Sequence, residues 1–364
     1  GLEIASRMWV DDLGEQKLWL VGVSHIGEPS FYEAIEELLE SVDVVVFESV
    51  LPHGALAPGG DDDASRASST SHTATLLAQM GGSEPVVDWA SWISGNTIDP
   101  RTQAILRPLS RDGWGRPWQI QPAKGDQPAI LSSFGSDGKP GGVSHAADIE
   151  VAIQTPMDSP DASNLQRSMA ESLGLVFQLD HLPYGDARWI PGDLTIGEIE
   201  EAFRDRQMET VDLTNLLTGK GLAGGIVHGL FRAIPTLDQL FGGRISDTLR
   251  IMLIEMLSDE SLVSAAMDMQ GSAFEEVILD LRNQRGMEVA LEMASRSDAP
   301  DIAIVYGAAH MPGMAEILEA HPAWRAESEL WRRAITFKQS ESILSDTEVS
   351  MLRRWSREMG KIVR

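Results

Sequence analysis

Apolar residues run almost unbroken through KLWLVGV at residues 17–23 and again through VDVVVFES at 42–49. Between them Phe31, Ile35, Leu38, Leu39 and Val42 recur at helical spacing, with Glu33, Glu36, Glu37 and Glu40 on the other side. Continuous apolar runs suit strands buried on both faces, whereas a three-to-four spacing belongs to a helix with one buried stripe. The segment therefore predicts β–α–β, and the crossover makes its two strands parallel. Ser30 with Glu33, just after Pro29, predicts a capping box at the start of the helix. Residues 301–320, DIAIVYGAAHMPGMAEILEA, repeat the opening order of apolar strand, Gly-x-x-His, Pro and helix. WRRAITF at 331–337 predicts a closing strand.

The middle of the chain follows neither pattern. GGDDDASRASSTSHT, residues 59–73, is small, polar and low in complexity, which predicts a flexible linker over residues 53–79. From 80 to 160 Gly, Pro, Asp and Trp are frequent and helical periodicity is lost, as in an inserted small domain. Helix-rich sequence resumes near Asn164 and continues to about 295. The expected division is an α/β domain from residues 1–52 and 164–340, the linker, the insertion, and a basic amphipathic helix at 341–364. That last helix opens with Ser345 and Glu348 in a capping box. It carries Arg353, Arg354, Arg357, Lys361 and Arg364 around Met351, Leu352, Trp355, Met359 and Ile362. Docking on the fold is one reading, and binding to a membrane or partner the other.

Composition narrows the partners. A formal charge of -26 repels phosphates, so nucleic acid and anionic membranes are not expected partners. The absence of cysteine excludes disulfides and thiolate metal sites. No apolar run approaches the roughly 18 residues of a membrane span. With 364 residues the chain is long enough for two or three domains.

Sites in open parallel sheets form at the carboxyl ends of strands. His25 follows one such end, Glu48 sits at another and His310 follows a third. Two imidazoles and a carboxylate with an open position suit a divalent transition metal such as Mn, Co or Zn, which can activate water. Alternatively, Glu48 serves as general base or orients an imidazole. Gly22 and Gly307, which open the two Gly-x-x-His motifs, let the backbone turn tightly beside a ligand. One such motif is more often a turn glycine and a hydrogen-bonded His, but two copies plus Glu48 favour a shared polar site. His53 is either a further ligand or a loop residue. Asp180, beside His181, and Asp193 are candidates to support the site from behind, although Asp193 more simply caps the helix beginning near Thr195.

LVGVSHIGEPSFYEAIEELLESVDVVVFES together with IAIVYGAAHMPG resembles the TraB/GumN/Tiki family, whose mark is a pair of Gly-x-x-His motifs and a Glu ending the strand after the first. LGLVFQLDHLPYGDARWIPGDLT and LRNQRGMEVALEMA are also similar to family segments, so the resemblance covers roughly residues 7–52 and 165–335. It implies an α/β fold related to erythromycin-esterase-like and ChaN-like proteins. From Tiki members it implies metal-dependent peptide cleavage, with the paired histidines and the Glu required. Carried over, this selects His25, His310 and Glu48 as metal ligands, and Glu48, Arg282 and Asn283 as catalytic residues, with Gly22 and Gly307 at the turns. RNQRGM spaces its Met one residue further than the family does, which leaves Arg285 as an alternative to Arg282. The same resemblance offers a non-catalytic reading, a haem-binding protein as among ChaN-like relatives or a peptide-sequestering one of the pheromone-shutdown type.

RDGWGRPWQIQPAKGDQPAILSSFGSDGKPGGVSHAADIEVAI, residues 111–153, resembles the C-terminal part of the type II secretion major pseudopilin, GspG. The family pattern of D-P-W-G-x-P-Y, then S-L-G-A-D-G, then A-D-I falls on Asp112 to Trp118, Ser133 to Gly138 and Ala147 to Ile149. The resemblance implies Ca²⁺ held by Asp137 and Asp148, with carbonyls or waters completing roughly six to eight oxygens. Ala146 stands where the family often has Asp or Asn. Alternatively, both aspartates cap turns through their own backbone. The pseudopilin's apolar N-terminal helix is missing, so a docking or lid module with a protein partner is implied rather than a filament subunit. An extracytoplasmic bacterial location, periplasmic or secreted, goes with that reading, and a cytoplasmic one is the alternative.

Overall fold

The three apolar strands come out side by side, in an order the sequence does not give. A computed structural model of the chain describes residues 1–51, 54–80, 89, 100–125, 127–153, 167, 170–206, 243–258 and 272–362. Chain order runs β1 (Leu2–Asp11), β2 (Lys17–Val23), β3 (Ile26–Gly27), α1 (Pro29–Leu39), β4 (Val44–Phe47), α2 (Asp63–Met80), α3 (Pro100–Leu106), β5 (Gln119–Gln121), β6 (Ile130–Ser133) and β7 (Ile149–Ala152). It continues through β8 (Val176–Phe177), α4 (Gln178–His181), β9 (Trp189–Pro191), α5 (Ile196–Asp205), α6 (Arg244–Leu257), α7 (Leu281–Ala294), β10 (Ile302–Gly307), α8 (Met311–Glu319), β11 (Trp324–Ile335) and α9 (Asp346–Ile362). The chain divides into two compact units: Gly1–Glu48 with Pro160–Leu182 and Glu200–Arg364, and Ser49–Ser159 with Pro183–Ile199.

The first unit is α/β, and its sheet has the order β11-β1-β2-β10-β4. Its centre is parallel: β10 pairs with β2, placing Gly307 opposite Val23, and with β4, placing Val305 opposite Phe47. β1 runs antiparallel to both β2 and β11. The opening β–α–β strands are therefore parallel but not neighbours, because the C-terminal strand inserts between them. Leu18, Val21, Val45, Val46, Phe47, Ile302 and Ile304 are fully buried, as unbroken apolar runs require.

Helix α1 buries Phe31, Tyr32, Ile35, Leu38 and Leu39, matching the expected stripe. Its capping box does not form: Pro29 takes the first turn, Glu28 is the N-cap, and no side chain caps it. Proline at that position gives up an N–H that would have no helical partner anyway. The second box does form, since Ser345 donates to Glu348 from its N–H at 2.8 Å and from its hydroxyl at 2.7 Å. The Ser345 backbone and hydroxyl, followed by Arg244, hold the Glu348 carboxyl down to about 2. Helix α9 packs on α6 through Val349 against Ile251, with Leu344 just before the helix in the same cluster, so α9 belongs to the first unit. Among the described residues, no helix is long and apolar enough to cross a membrane.

The second unit begins earlier than the sequence suggests. Of residues 53–79, expected to be linker, those from Asp63 onward lie in α2, whose buried positions include Thr70, Thr73, Ala74, Leu76, Leu77 and Ala78. Asp62 accepts from the Ser65 N–H at 2.7 Å and starts the helix. Thr70 and Thr75 hydroxyls donate to carbonyls one turn back, at 2.6 and 2.8 Å. The antiparallel sheet β5-β6-β7 follows. Residues 183–199 join this unit because Leu51 lies between Leu194 and Ile196: its N–H donates to Leu194 at 2.9 Å and its carbonyl accepts from Ile196 at 2.7 Å. Asp193 does not cap α5. It accepts from the Ser49 N–H at 3.1 Å, and Thr195 with Glu198 caps the helix instead.

Candidate functional site

Glu48 is the first residue beyond β4, and its N–H still donates to Val305 at 2.9 Å. That bond sets its side chain beside the end of β10, where the Gly307 N–H donates to Oε2 at 2.6 Å. A Cβ on Gly307 would stand 3.1 Å from the same oxygen, so glycine permits the close approach. Arg282 closes the other side, with Nη2 donating to Glu48 Oε1 at 2.7 Å. Its helix, α7, is entered through a π-helical turn at Glu276–Asp280, a feature frequent at functional sites. Arg282 Nη1 also lies 3.4 Å from the Ile278 carbonyl within that turn. Arg285, the alternative, lies 3.5 Å from Glu288.

His310 completes the cluster from a 3₁₀ turn that carries β10 into α8. Its Nε2 is 3.5 Å from Glu48 Oε1 and 3.5 Å from Arg282 Nη1. Its Nδ1 lies 2.7 Å from Asn283 Oδ1. A carbonyl oxygen only accepts, so Nδ1 carries the hydrogen and Nε2 faces the carboxylate. Tyr306 sets the ring edge-on, with centroids 5.2 Å apart. Arg282, Asn283 and His310 are each 5% exposed or less, whereas the Glu48 side chain is 21% exposed. Burial alone would push the Glu48 carboxyl up. The His310 hydrogen bond, the Arg282 and His310 charges and the Gly307 N–H outweigh it and hold the group well below the usual carboxylate range.

Gly22 has a packing role: a Cβ there would lie 2.8 Å from Ile4 and 3.1 Å from Met311. His25 follows β2 by two residues, at the same sheet edge as Glu48 and Gly307. Its carbonyl accepts from the Gln178 N–H at 2.8 Å and its side chain is exposed. Among the described residues, no group of three His, Cys, Asp or Glu stands ready to hold a metal ion. His310 Nε2 and Glu48 are metal donors by type, with the imidazole oriented by Asn283, but the Arg282 guanidinium lies 3.5 and 2.7 Å from these same two atoms and would have to withdraw before a divalent metal could take its place. His53 lies outside the described residues. Asp180 pairs with Arg167 at 2.7 and 2.8 Å, and His181 stacks on Tyr32. Tyr306 and Gly313 escaped the sequence reading. A Cβ on Gly313 would come within 2.5 Å of Asn283 Nδ2, and the Gly three residues after His310 was the available signal.

No family model, no curated protein and no solved structure matches the chain. The geometry of the site therefore carries the functional argument.

Proposed function

We propose that the first unit is a hydrolase of TraB/Tiki type, acting on peptides, with Glu48, Arg282 and His310 as its reactive centre. One observation carries this: a guanidinium, an ionised carboxylate and an imidazole share hydrogen-bonding distances, largely buried, at the carboxyl ends of parallel strands. Burying such charges is a poor route to stability, since the desolvation penalty rivals the attraction gained. Perturbed ionisation in a cluster of this kind is more typical of chemistry.

In this reading His310 Nε2 takes a proton from the attacking water and returns it to the leaving amine. Glu48 stabilises the imidazolium formed in between. Arg282 offers N–H donors to the oxyanion that develops on the scissile carbonyl. Asn283 holds the Nδ1–H, so that Nε2 is the basic nitrogen. Were a divalent Mn, Co or Zn ion held instead by His310 Nε2, Glu48 and, from the same edge, His25, that nitrogen would be a ligand rather than the base, and the ion would supply Lewis-acid polarisation. The second unit, pseudopilin-like in sequence, serves as a docking module for a protein partner.

The test is cleavage of a quenched-fluorescence peptide library by the full chain, with Mn, Co or Zn and after chelation. We expect at least one peptide to be cut by the native chain and not by His310→Gln. No cleavage under any metal condition would overturn the hydrolase assignment.

A further inference from the structure

The loop joining β6 to β7 is where calcium would be expected, and its own backbone and side-chain hydrogen bonds close it. Gly135, Gly138, Gly141 and Gly142 have φ of +54°, +67°, +92° and +97°, conformations that side chains rarely adopt. The Ser136 N–H donates to the His145 carbonyl at 2.7 Å, and the Gly138 N–H to Phe134 at 3.0 Å. Asp137 Oδ1 accepts from the Lys139 N–H at 2.9 Å, and Asp148 Oδ2 from the Gly141 N–H at 2.9 Å. Each aspartate thus has one oxygen committed to the backbone of its own loop.

Arg116 reaches into this loop from the preceding turn. Its Nη2 donates to the Gly135 carbonyl, and its Nη1 lies against Gly138, where any Cβ would collide with it. The guanidinium is held from behind. Nε is 3.6 Å from Asp112 Oδ2, and Cζ stands 5.5 Å from the Trp114 ring centroid. Asp112 is 3% exposed and accepts from the Trp114 and Arg116 N–H groups at 3.0 and 2.8 Å and from the Ser133 hydroxyl at 2.6 Å. The buried Asp112 thus anchors a guanidinium whose side chain remains 33% exposed.

Calcium needs roughly six to eight oxygens. Here the Gly135 carbonyl already serves the guanidinium, and Ala146 offers no carboxylate. Asp148 Oδ1 is buried without a hydrogen-bond partner, a single anionic oxygen against the several that calcium needs. No cluster of three acidic or imidazole groups accompanies it among the described residues. As arranged, these residues do not fit a calcium site. We infer that the Arg116 guanidinium is the resident cation of this loop, in the place a calcium ion would take, and that the second unit folds without calcium.

The test is thermal melting of the full chain in CaCl₂ and in EGTA, with calorimetric calcium titration, for the native chain, Arg116→Lys and Arg116→Gln. The native chain should melt at the same temperature in both and bind no calcium. Arg116→Gln should melt several degrees lower in EGTA, and calcium should raise its melting point, because the Gly135 carbonyl is freed and the repelling charge is gone. Arg116→Lys should fall between, lacking the planar fork. A native chain that binds calcium and melts higher with it overturns the inference, whether or not the variants fold. So does an Arg116→Gln chain that melts like the native one in EGTA.

Discussion

Glu48 carries its charge against its own burial. The sign of its contribution follows from that: a carboxyl held below its usual value of 4.5 stabilises the fold above that pH, and the contribution is lost as pH falls through the depressed value. Native stability should therefore decline more steeply than that of Glu48→Gln between about pH 5 and 3, in urea titrations across that range. Near neutrality Glu48→Gln should cost about 3–5 kcal/mol, because the Arg282 guanidinium keeps its burial and loses its counter-charge. Equal acid slopes in the two proteins would mean that the carboxylate is not held ionised. At this scale the sequence named Glu48, His310, Arg282 and Asn283, since Gly-x-x-His and the Arg-Asn pair are visible in one dimension. The choice of Arg282 over Arg285 was not visible. The two lie three residues apart on one helix, so spacing alone does not say which reaches Glu48; the structure puts Arg282 there and Arg285 beside Glu288.

At the scale of elements, the contact between α7 and α8 holds the imidazole. Gly313 on α8 leaves room for the Asn283 amide, whose oxygen takes the His310 Nδ1–H. Gly313→Ala should push Asn283 aside and lower kcat by about 10-fold or more, the usual effect of disturbing a group that orients an active imidazole. The melting point should change little, because alanine is the better helix former by about 1 kcal/mol. A variant with native kcat would show that Asn283 does not set the ring. Legibility differed among elements for a plain reason. Strands β2, β4 and β10 announce themselves because burial on both faces demands unbroken apolar residues. Helix α2 hides because much of its buried face is Thr and Ala, and it reads as a polar low-complexity tract. Its Thr70 also receives the Gly113 N–H at 2.9 Å, a pairing no local pattern reveals.

Across the whole molecule, the ordering of the sheet does what no single motif can: by entering between β2 and β4, β10 brings the end of the chain to the middle of the beginning. Neighbouring of these strands was beyond the sequence, because both orders bury the same residues. The division into units was legible only in outline, since residues 183–199 join the second unit through backbone pairing with Leu51. Net charge acts at this scale too. At -26 the folded chain repels itself, so its melting point should rise between 0.01 and 0.15 M salt, as calorimetry would show; a fall would mean that surface ion pairs dominate. The central claim is that Glu48 and His310 act as one centre. Its most direct test is a double-mutant cycle on kcat/KM, using a peptide the native chain cleaves, with Glu48→Gln, His310→Gln and the pair. Each single change should lower kcat/KM by at least about 10²-fold, and the double should lose no more than the worse single, as for residues that work as a unit. Losses that multiply, or either single variant cleaving at the native rate, would contradict it.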